Sequence, residues 1–155
     1  MSDRQYFDDF VAGSVHDYGP TGPVTAAEII DFARKYDPQP IHVDPDWART
    51  GPFGGLIASG WHTAALTMRL LVDSYLPAAA SLASPGIDEL RWVRPVRPGD
   101  VLSVRVTVLE ARPSRSKPDR GLIRSRIEVL DGEGLVVMTL VALNMVRRRP
   151  GGLPS

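Results

Sequence analysis

Cysteine is absent from the 155 residues of this chain. Its absence excludes a disulfide framework, a thiol nucleophile and any metal site that depends on thiolate ligands. Long hydrophobic runs are lacking as well, because no apolar stretch approaches the ~18 residues of a membrane-spanning helix. The opening stretch MSDRQYFDDF has no apolar signal-peptide core. These absences predict a cytoplasmic protein with no membrane partner.

An excess of charge of one sign is also lacking. The chain has 18 basic and 18 acidic residues, so its composition does not indicate a nucleic-acid partner. The three histidines, at positions 16, 42 and 62, have none of the close spacings typical of metal ligands, so no metal site is predicted. Hydrophobic residues make up 43% of the chain and charged residues 23%, which favours a globular protein.

Two helices are predicted in the first half of the chain. TAAE has the form of a capping box that begins a helix at Thr25, and Pro38 disfavours the helical conformation at the residue before it, so this helix should end near Tyr36. Residues 37–55 are predicted to be irregular, apart from a short helical turn after Pro45. A long helix follows over residues 57–76, and its apolar circumference indicates the centre of the fold.

The second half is predicted to be four antiparallel strands, because β-branched residues alternate with polar ones between turn signals. The strands are expected within residues 86–96, 100–112, 121–131 and 134–148. The whole chain, 1–155, is therefore predicted to be one α+β domain with a core over about 5–147 and a flexible tail at 148–155. A single sheet covers only one side of its helix and leaves edges, which favours a partner subunit.

The stretch YDPQPIHVDP, residues 36–45, places Asp37 and His42 five residues apart. The prolines between them restrict the backbone and remove hydrogen-bond donors. One interpretation is a stiff loop that preorganises a carboxylate and an imidazole for acid–base chemistry. The other is an ordinary turn in which neither side chain has a special role. Asp44 and Asp46 are interpreted as turn and helix-start residues.

The stretch FGGLIASGW, residues 53–61, leads from a glycine loop into the long helix. Gly60 has no side chain to shield its amide. Unpaired N–H groups and the positive end of the helix dipole suit an anionic oxygen at such a position. The alternative is close packing, in which Gly54, Gly55 and Gly60 only let the helix enter a crowded core.

Residues 36–66, with these two motifs in register, resemble the MaoC-like dehydratases and (R)-specific enoyl-CoA hydratases. The family motif of aspartate, proline, an aliphatic residue and histidine matches Asp37, Pro40, Ile41 and His42. FGGLIASG fits the family's entry into the central helix without a gap. LRWVRPVRPGD and the opening YFDDFVAGSV also resemble the family, so the likeness extends over about residues 5–147.

The resemblance implies a single hotdog domain, an antiparallel sheet wrapped around a long central helix, which usually forms a dimer. It implies reversible hydration of a trans-2-enoyl-CoA to an (R)-3-hydroxyacyl-CoA, with Asp37 and His42 as catalytic residues and the Gly60 N–H as oxyanion donor. Coenzyme A or acyl carrier protein would carry the acyl group, and no cofactor is required. The residues expected to contact the substrate are Gly55, Ile57, Ser59 and Trp61.

Three departures from the family pattern are present. Gln39 stands where the family has asparagine, Tyr36 stands where a glycine or a small or acidic residue is common, and Met68 stands where some members have serine. Trp61 is interpreted either as a wall of the acyl pocket or as a core aromatic. Two other functions remain open: a thioesterase on the same fold, and a non-catalytic subunit that binds acyl thioesters, since a fold does not define an activity.

Overall fold

The computed structural model describes residues 4–151. The elements in chain order are a 3-10 turn at Phe7–Asp9, β1 at Val15–Tyr18, α1 at Ala26–Tyr36, α2 at Pro40–Val43, α3 at Pro45–Thr50, α4 at Gly60–Ser74, β2 at Gly86–Trp92, β3 at Ser103–Pro113, β4 at Arg120–Leu130 and β5 at Val136–Arg147. Among these residues, no helix has the length and apolar character needed to cross a bilayer.

The five strands form one antiparallel sheet with the order β1-β3-β4-β5-β2. The four predicted strands are confirmed, and three of them, β3, β4 and β5, are neighbours both in sequence and in the sheet. Their alternation of apolar and polar residues explains the core, because every second side chain points to the same face. Val106 of β3 pairs with Ile127 of β4, and both are fully buried in the core.

Helix α4 packs against the inner face of this sheet. Leu71 and Tyr75, on its last turn and at its C-cap, belong to the same buried cluster as the strand residues. The helix spans residues 60–74 rather than the predicted 57–76. It begins later because Ser59 accepts a hydrogen bond from the Trp61 N–H as N-cap, and the Ala58 N–H is already paired with the Val96 carbonyl.

The first helix agrees with its prediction. Thr25 accepts from the Glu28 N–H at 3.1 Å and the Glu28 carboxylate accepts from the Thr25 N–H at 3.3 Å, which completes the capping box. The prediction of an irregular segment is wrong at residues 40–43, where α2 forms, whereas the predicted helical turn after Pro45 is confirmed as α3. Pro40 and Pro45 each stand at the first helical positions, where the missing N–H costs nothing and the fixed φ favours the helix.

The predicted flexible tail begins with residues that are hydrogen-bonded to the rest of the chain. The Arg148 N–H donates to the Asp119 carbonyl, and the Arg149 N–H donates to the Asp8 carboxylate, each at 2.8 Å. The end of the predicted tail, residues 152–155, lies outside the described residues. Flexibility of this segment stays a prediction.

Tyr75 provides a test of how the sheet and α4 are held together. Its hydroxyl and that of Ser125 are 2.6 Å apart and both residues are buried. Burial raises the pKa of Tyr75 to about 12, so the phenol stays protonated. Tyr75→Phe would leave the Ser125 hydroxyl without this partner, and we expect the free energy of unfolding to fall by about 1–3 kcal/mol.

Chemical denaturation of the wild type and the variant would measure this loss. Tyr36→Phe is the matched control, because Tyr36 is 67% exposed and its hydroxyl is open to water. We expect no change in unfolding free energy for the control. An equal effect of both substitutions would contradict the assignment of the Tyr75–Ser125 hydrogen bond as a stabilising contact.

Candidate active site

Asp37 and His42 are brought together where α1 ends and α2 begins. Asp37 is the C-cap of α1, and its N–H donates to the Ala33 carbonyl at 2.8 Å. His42 lies on α2, and its Nε2 is 3.3 Å from Asp37 Oδ2. The His42 side chain is 6% exposed and that of Asp37 is 19% exposed. Both side chains are therefore largely buried, and the Asp37 carboxylate is the more accessible of the two.

The hydrogen bond on the other side of the imidazole sets its tautomer. His42 Nδ1 lies 2.7 Å from the Ile57 carbonyl oxygen, which can only accept, so Nδ1 carries a proton. In the neutral ring, Nε2 is then unprotonated and faces the Asp37 carboxylate. Two acceptors facing each other at this distance attract a proton donor such as water.

Asp37 is supplied with two side-chain donors. Gln39 Nε2 donates to Asp37 Oδ1 at 2.7 Å, and the Ser59 hydroxyl donates to Asp37 Oδ2 at 2.7 Å. The Gln39 hydrogen bond, the Ser59 hydrogen bond and the nearby His42 hold the pKa of Asp37 below its ordinary value, although burial opposes them. Asp37 is therefore ionised at neutral pH and can accept a proton. Gln39, a departure from the family pattern, thus contacts the carboxylate directly.

Ser59 connects Asp37 to the start of α4. Its side chain is fully buried, donates to Asp37 and accepts from the Trp61 N–H at 3.3 Å. Ser59 is predicted to contact the substrate, and in the structure its hydroxyl is hydrogen-bonded to the Asp37 carboxylate. One short polar side chain therefore fixes the aspartate relative to the helix N-terminus.

Gly60 is the first residue of α4. Within residues 4–151, the structure gives no hydrogen-bond acceptor for the Gly60 N–H. It is one of the donors that a helix leaves unpaired at its N-terminus, where the helix dipole adds positive potential. The oxyanion role of this N–H stays a prediction, and the structure leaves the donor free for it.

The close-packing interpretation of Gly60 has direct support. A Cβ at this position would lie 2.5 Å from Nε1 and 2.7 Å from Cδ2 of Trp92, so no side chain fits there. The Trp92 Nε1–H donates to the Gly60 carbonyl at 2.9 Å. The role of Trp92 is not predictable from the sequence, because no local pattern links a strand residue to a glycine that lies 32 positions earlier.

The other predicted substrate contacts lie around this helix start. Gly55 lies near Arg97, whose guanidinium donates to the Phe53 carbonyl and ties the glycine loop to the connection between β2 and β3. The Ile57 side chain is buried. Trp61 is 59% exposed, and its ring meets that of Trp92 edge to face at 5.1 Å. The core-aromatic interpretation of Trp61 is therefore wrong for this chain.

The remaining histidines are not part of the site. His62 is buried and stacks on Phe32 at 4.7 Å, and His16 hydrogen-bonds Ser14 beside β1. In the part of the chain that the structure describes, no three histidine, aspartate or glutamate side chains are grouped closely enough to hold a metal ion.

The chain belongs to the MaoC-like dehydratase family, because the MaoC-like domain matches residues 10–126. The hotdog fold that the sequence predicts is confirmed by its solved structural neighbours. The family assignment is thus confirmed as well, and it agrees with a site in which a carboxylate and an imidazole lie next to a helix N-terminus.

Three relatives illustrate the match. The crystal structure of a MaoC-like dehydratase from Rhodospirillum rubrum is 46% identical, with a TM-score of 0.85 over 94% of this chain and 98% of that chain. A 3-hydroxybutyryl-CoA dehydratase from Methylorubrum extorquens is 34% identical over 116 residues, which are 73% of this chain and 72% of the relative. The unliganded R-hydratase PhaJ1 from Pseudomonas aeruginosa is 25% identical, with a TM-score of 0.73 over 97% of this chain and 94% of that chain.

Proposed function

We propose that this protein adds water reversibly to a trans-2-enoyl thioester and so forms an (R)-3-hydroxyacyl thioester. The observation that carries the proposal is the pair of acceptors, Asp37 Oδ2 and His42 Nε2, which face each other 3.3 Å apart. Membership of a dehydratase family and the names of two relatives, a 3-hydroxybutyryl-CoA dehydratase and an R-hydratase, support this reaction class.

In the proposed reaction, a water beside the pair donates an O–H to Asp37 or His42 and stays within reach of the other. The dyad takes one proton as the water oxygen bonds to the β-carbon of the enoyl group. The electrons of the double bond move to the thioester oxygen. The dyad then returns a proton to the α-carbon, which restores the thioester and leaves the dyad unchanged.

The Gly60 N–H is the proposed donor to the thioester oxygen. Negative charge grows on that oxygen as water adds, so a fixed donor binds the transition state more strongly than the substrate. The donor is unpaired, and it lies at the positive end of α4, a helix of 15 residues. Both properties support the assignment.

The proposed substrate contacts come from the segment that leads into α4 and from its first turn. Gly55 and Trp61 are partly or largely open to solvent and would border the acyl thioester. Ile57 and Ser59 are buried, and in this proposal they act by holding His42 and Asp37. Coenzyme A or acyl carrier protein would be the carrier of the acyl group, and no cofactor takes part. A cytoplasmic location stays part of the proposal.

A homodimer, alone or within a larger homo-oligomer, is part of the same proposal. Within residues 4–151, β2 pairs with β5 alone, so its other side is an open edge, and an open edge favours pairing with another strand. One face of α4 is also uncovered: Trp61, Met68 and Val72, which are spaced at helical intervals, are 59%, 46% and 40% exposed. A second copy would cover both surfaces, since isologous contacts use the same patch twice.

Turnover of crotonyl-CoA tests the function. Hydration removes the conjugated double bond, so the ultraviolet absorbance of the enoyl thioester should fall after addition of the protein. A panel of short, long and branched enoyl-CoAs would cover unknown chain length. Absence of turnover on the whole panel would reject the proposal. Release of free thiol, detected with a thiol reagent, would indicate a thioesterase, and binding without either change would indicate a non-catalytic subunit.

The donors to Asp37 predict a change in the pH profile. The pKa of Asp37 is lowered by its hydrogen bonds from Gln39 and Ser59, so the carboxylate stays ionised to lower pH. Gln39→Met or Ser59→Ala removes one donor and should raise this pKa. The acid limb of kcat/KM against pH should therefore move to higher pH in both variants, as measured by hydration rates across the acid range.

Gln5→Met is the matched control for the glutamine substitution, because Gln5 is exposed and distant from the site in the chain. Its acid limb should coincide with that of the wild type. If the acid limb stays in place in both Gln39→Met and Ser59→Ala, the ionisation of Asp37 does not control the reaction.

A further inference from the structure

Trp92 contacts the start of α4 from the sheet. Its Nε1–H donates to the Gly60 carbonyl at 2.9 Å, and its ring occupies the space where a side chain of Gly60 would be. Trp61, the next residue of the helix, meets the same indole edge to face. The first turn of α4 is therefore held by the indole of Trp92 in addition to its N-cap.

A β-bulge in β2 directs Trp92 to this position. Asp88 pairs with Val141 and Arg91 pairs with Thr139, so residues 89–90 of β2 lie opposite the single residue 140 of β5. An extra residue reverses the alternation of side chains beyond it. The bulge therefore changes which face of the sheet the last two residues of β2 occupy.

The pairing partners identify the two faces. Ile87 pairs with Ala142 and Trp92 pairs with Met138, and these two β5 residues lie on the same face because the register between β4 and β5 is regular there. Ala142 lies opposite Ser125, which bonds Tyr75 beside α4. Ile87 and Trp92 thus share the face that packs on α4, although their spacing of five would place them on opposite faces of a regular strand.

The bulge contains a strained residue. Glu89 has φ of 53°, the left-handed conformation, and it is the only non-glycine residue with positive φ within residues 4–151. Such a conformation is strained for a non-glycine residue and persists where the surrounding structure requires it, often near functional sites. A regular strand would avoid the strain and would turn Trp92 away from Gly60.

We infer that Trp92, aimed by the bulge at residues 89–90, is a positioning residue that fixes the peptide groups of the first turn of α4 and so holds the Gly60 N–H in place for the thioester oxygen. The inference rests on the proposed hydration reaction. Trp92 acts through Gly60 and does not itself transfer a proton. A rigidly held donor contributes most in the transition state, where charge develops on the thioester oxygen. Loss of the Trp92 hydrogen bond should therefore lower kcat and leave KM nearly unchanged.

Trp92→Phe tests the inference, because it retains an aromatic side chain at this position but removes the indole N–H together with part of the ring surface. We expect kcat for crotonyl-CoA to fall about 5–10-fold, the worth of one neutral hydrogen bond, with KM within about twofold of the wild type. Amide hydrogen exchange of residues 60–63 should become faster in the free protein. Trp47→Phe is the matched control, since Trp47 is an exposed tryptophan on α3, and it should leave all three quantities unchanged.

Deletion of Glu89 is the second test, because it restores an uninterrupted register in β2 and should turn Trp92 to the outer face, with a loss of kcat at least as large as that of Trp92→Phe. If the deletion prevents folding, the Trp92→Phe variant still tests the inference. A Trp92→Phe variant with kcat within twofold of the wild type, with a loss confined to KM, or with unchanged exchange at residues 60–63 would overturn the inference. A wild type that hydrates no enoyl-CoA would instead overturn the proposed function.

Discussion

Replacing Asp37 with asparagine should reduce kcat for enoyl-thioester hydration by about 10²–10⁴-fold, the usual contribution of a positioned acid or base. The substitution is nearly isosteric but removes the charge that accepts a proton. His42→Asn should cause a loss of the same order. Its amide can still donate toward the Ile57 carbonyl, which now accepts from Nδ1 at 2.7 Å, but it has no group in place of Nε2. The measurement is the rate of absorbance loss with crotonyl-CoA.

Asp46→Asn is the matched control for the charge, because the Asp46 side chain is 86% exposed and pairs only with Arg49 on the surface of α3. The control should keep the wild-type rate. The double variant Asp37→Asn/His42→Asn should lose little more than either single variant, since residues that act as a unit are not additive. Full activity in either single variant would exclude the dyad mechanism, provided that circular dichroism shows a folded protein.

Gly60→Ala should affect both the stability and the activity of the protein. The new methyl group would overlap the Trp92 indole, so the ring, the start of α4 or both must move. Overpacking of this kind typically costs about 1–3 kcal/mol, and the better helix propensity of alanine offsets about 1 kcal/mol of it. Displacement of the Gly60 N–H should lower kcat about 10²-fold, the effect of losing one oxyanion donor. Denaturation and hydration assays would measure the two effects.

Two further variants identify the cause of the Gly60→Ala effect. Gly22→Ala adds a methyl group that meets no atom within 4 Å, so it should leave activity unchanged. Gly60→Ala/Trp92→Ala removes the overlap and should regain part of the stability lost in Gly60→Ala, as expected for residues in contact. If the double variant is as unstable as the sum of the two single variants, the overlap with Trp92 is not the cause.

Local patterns in the sequence were sufficient for most of the fold. The capping box at Thr25 and the alternation in β3 and β4 are decided by neighbouring residues, and the structure has these elements where the patterns predict them. The short helix α2 was missed because proline was taken as a helix breaker, whereas the helical turn after Pro45, which is α3, was predicted. At the first helical position proline favours a helix, and both Pro40 and Pro45 occupy that position.

The candidate site could be predicted only in part, because local patterns do not show which distant residues come into contact. Asp37 and His42 lie in one motif and Gly60 in the next, and the structure brings Asp37 and His42 to 3.3 Å. The contacts that hold them were not predictable. The Ser59–Asp37 hydrogen bond spans 22 residues and the Trp92–Gly60 hydrogen bond spans 32. No pattern of neighbouring residues encodes such pairs, since they depend on where the sheet and α4 meet.

The segment from Asp37 to Gly60 lies outside the paired strands, and it reaches the sheet region through few polar contacts, among them the Ala58–Val96 and Arg97–Phe53 hydrogen bonds. The strands β3, β4 and β5, by contrast, carry long ladders, each with a single register shift, over an apolar core. A segment of this kind can open locally as one cooperative unit while the ladders persist. We therefore expect amide hydrogen exchange to be faster in residues 37–60 than in β3, β4 and β5, although Ala48, Leu56 and Ala58 of this segment pack in the same buried core as the strands.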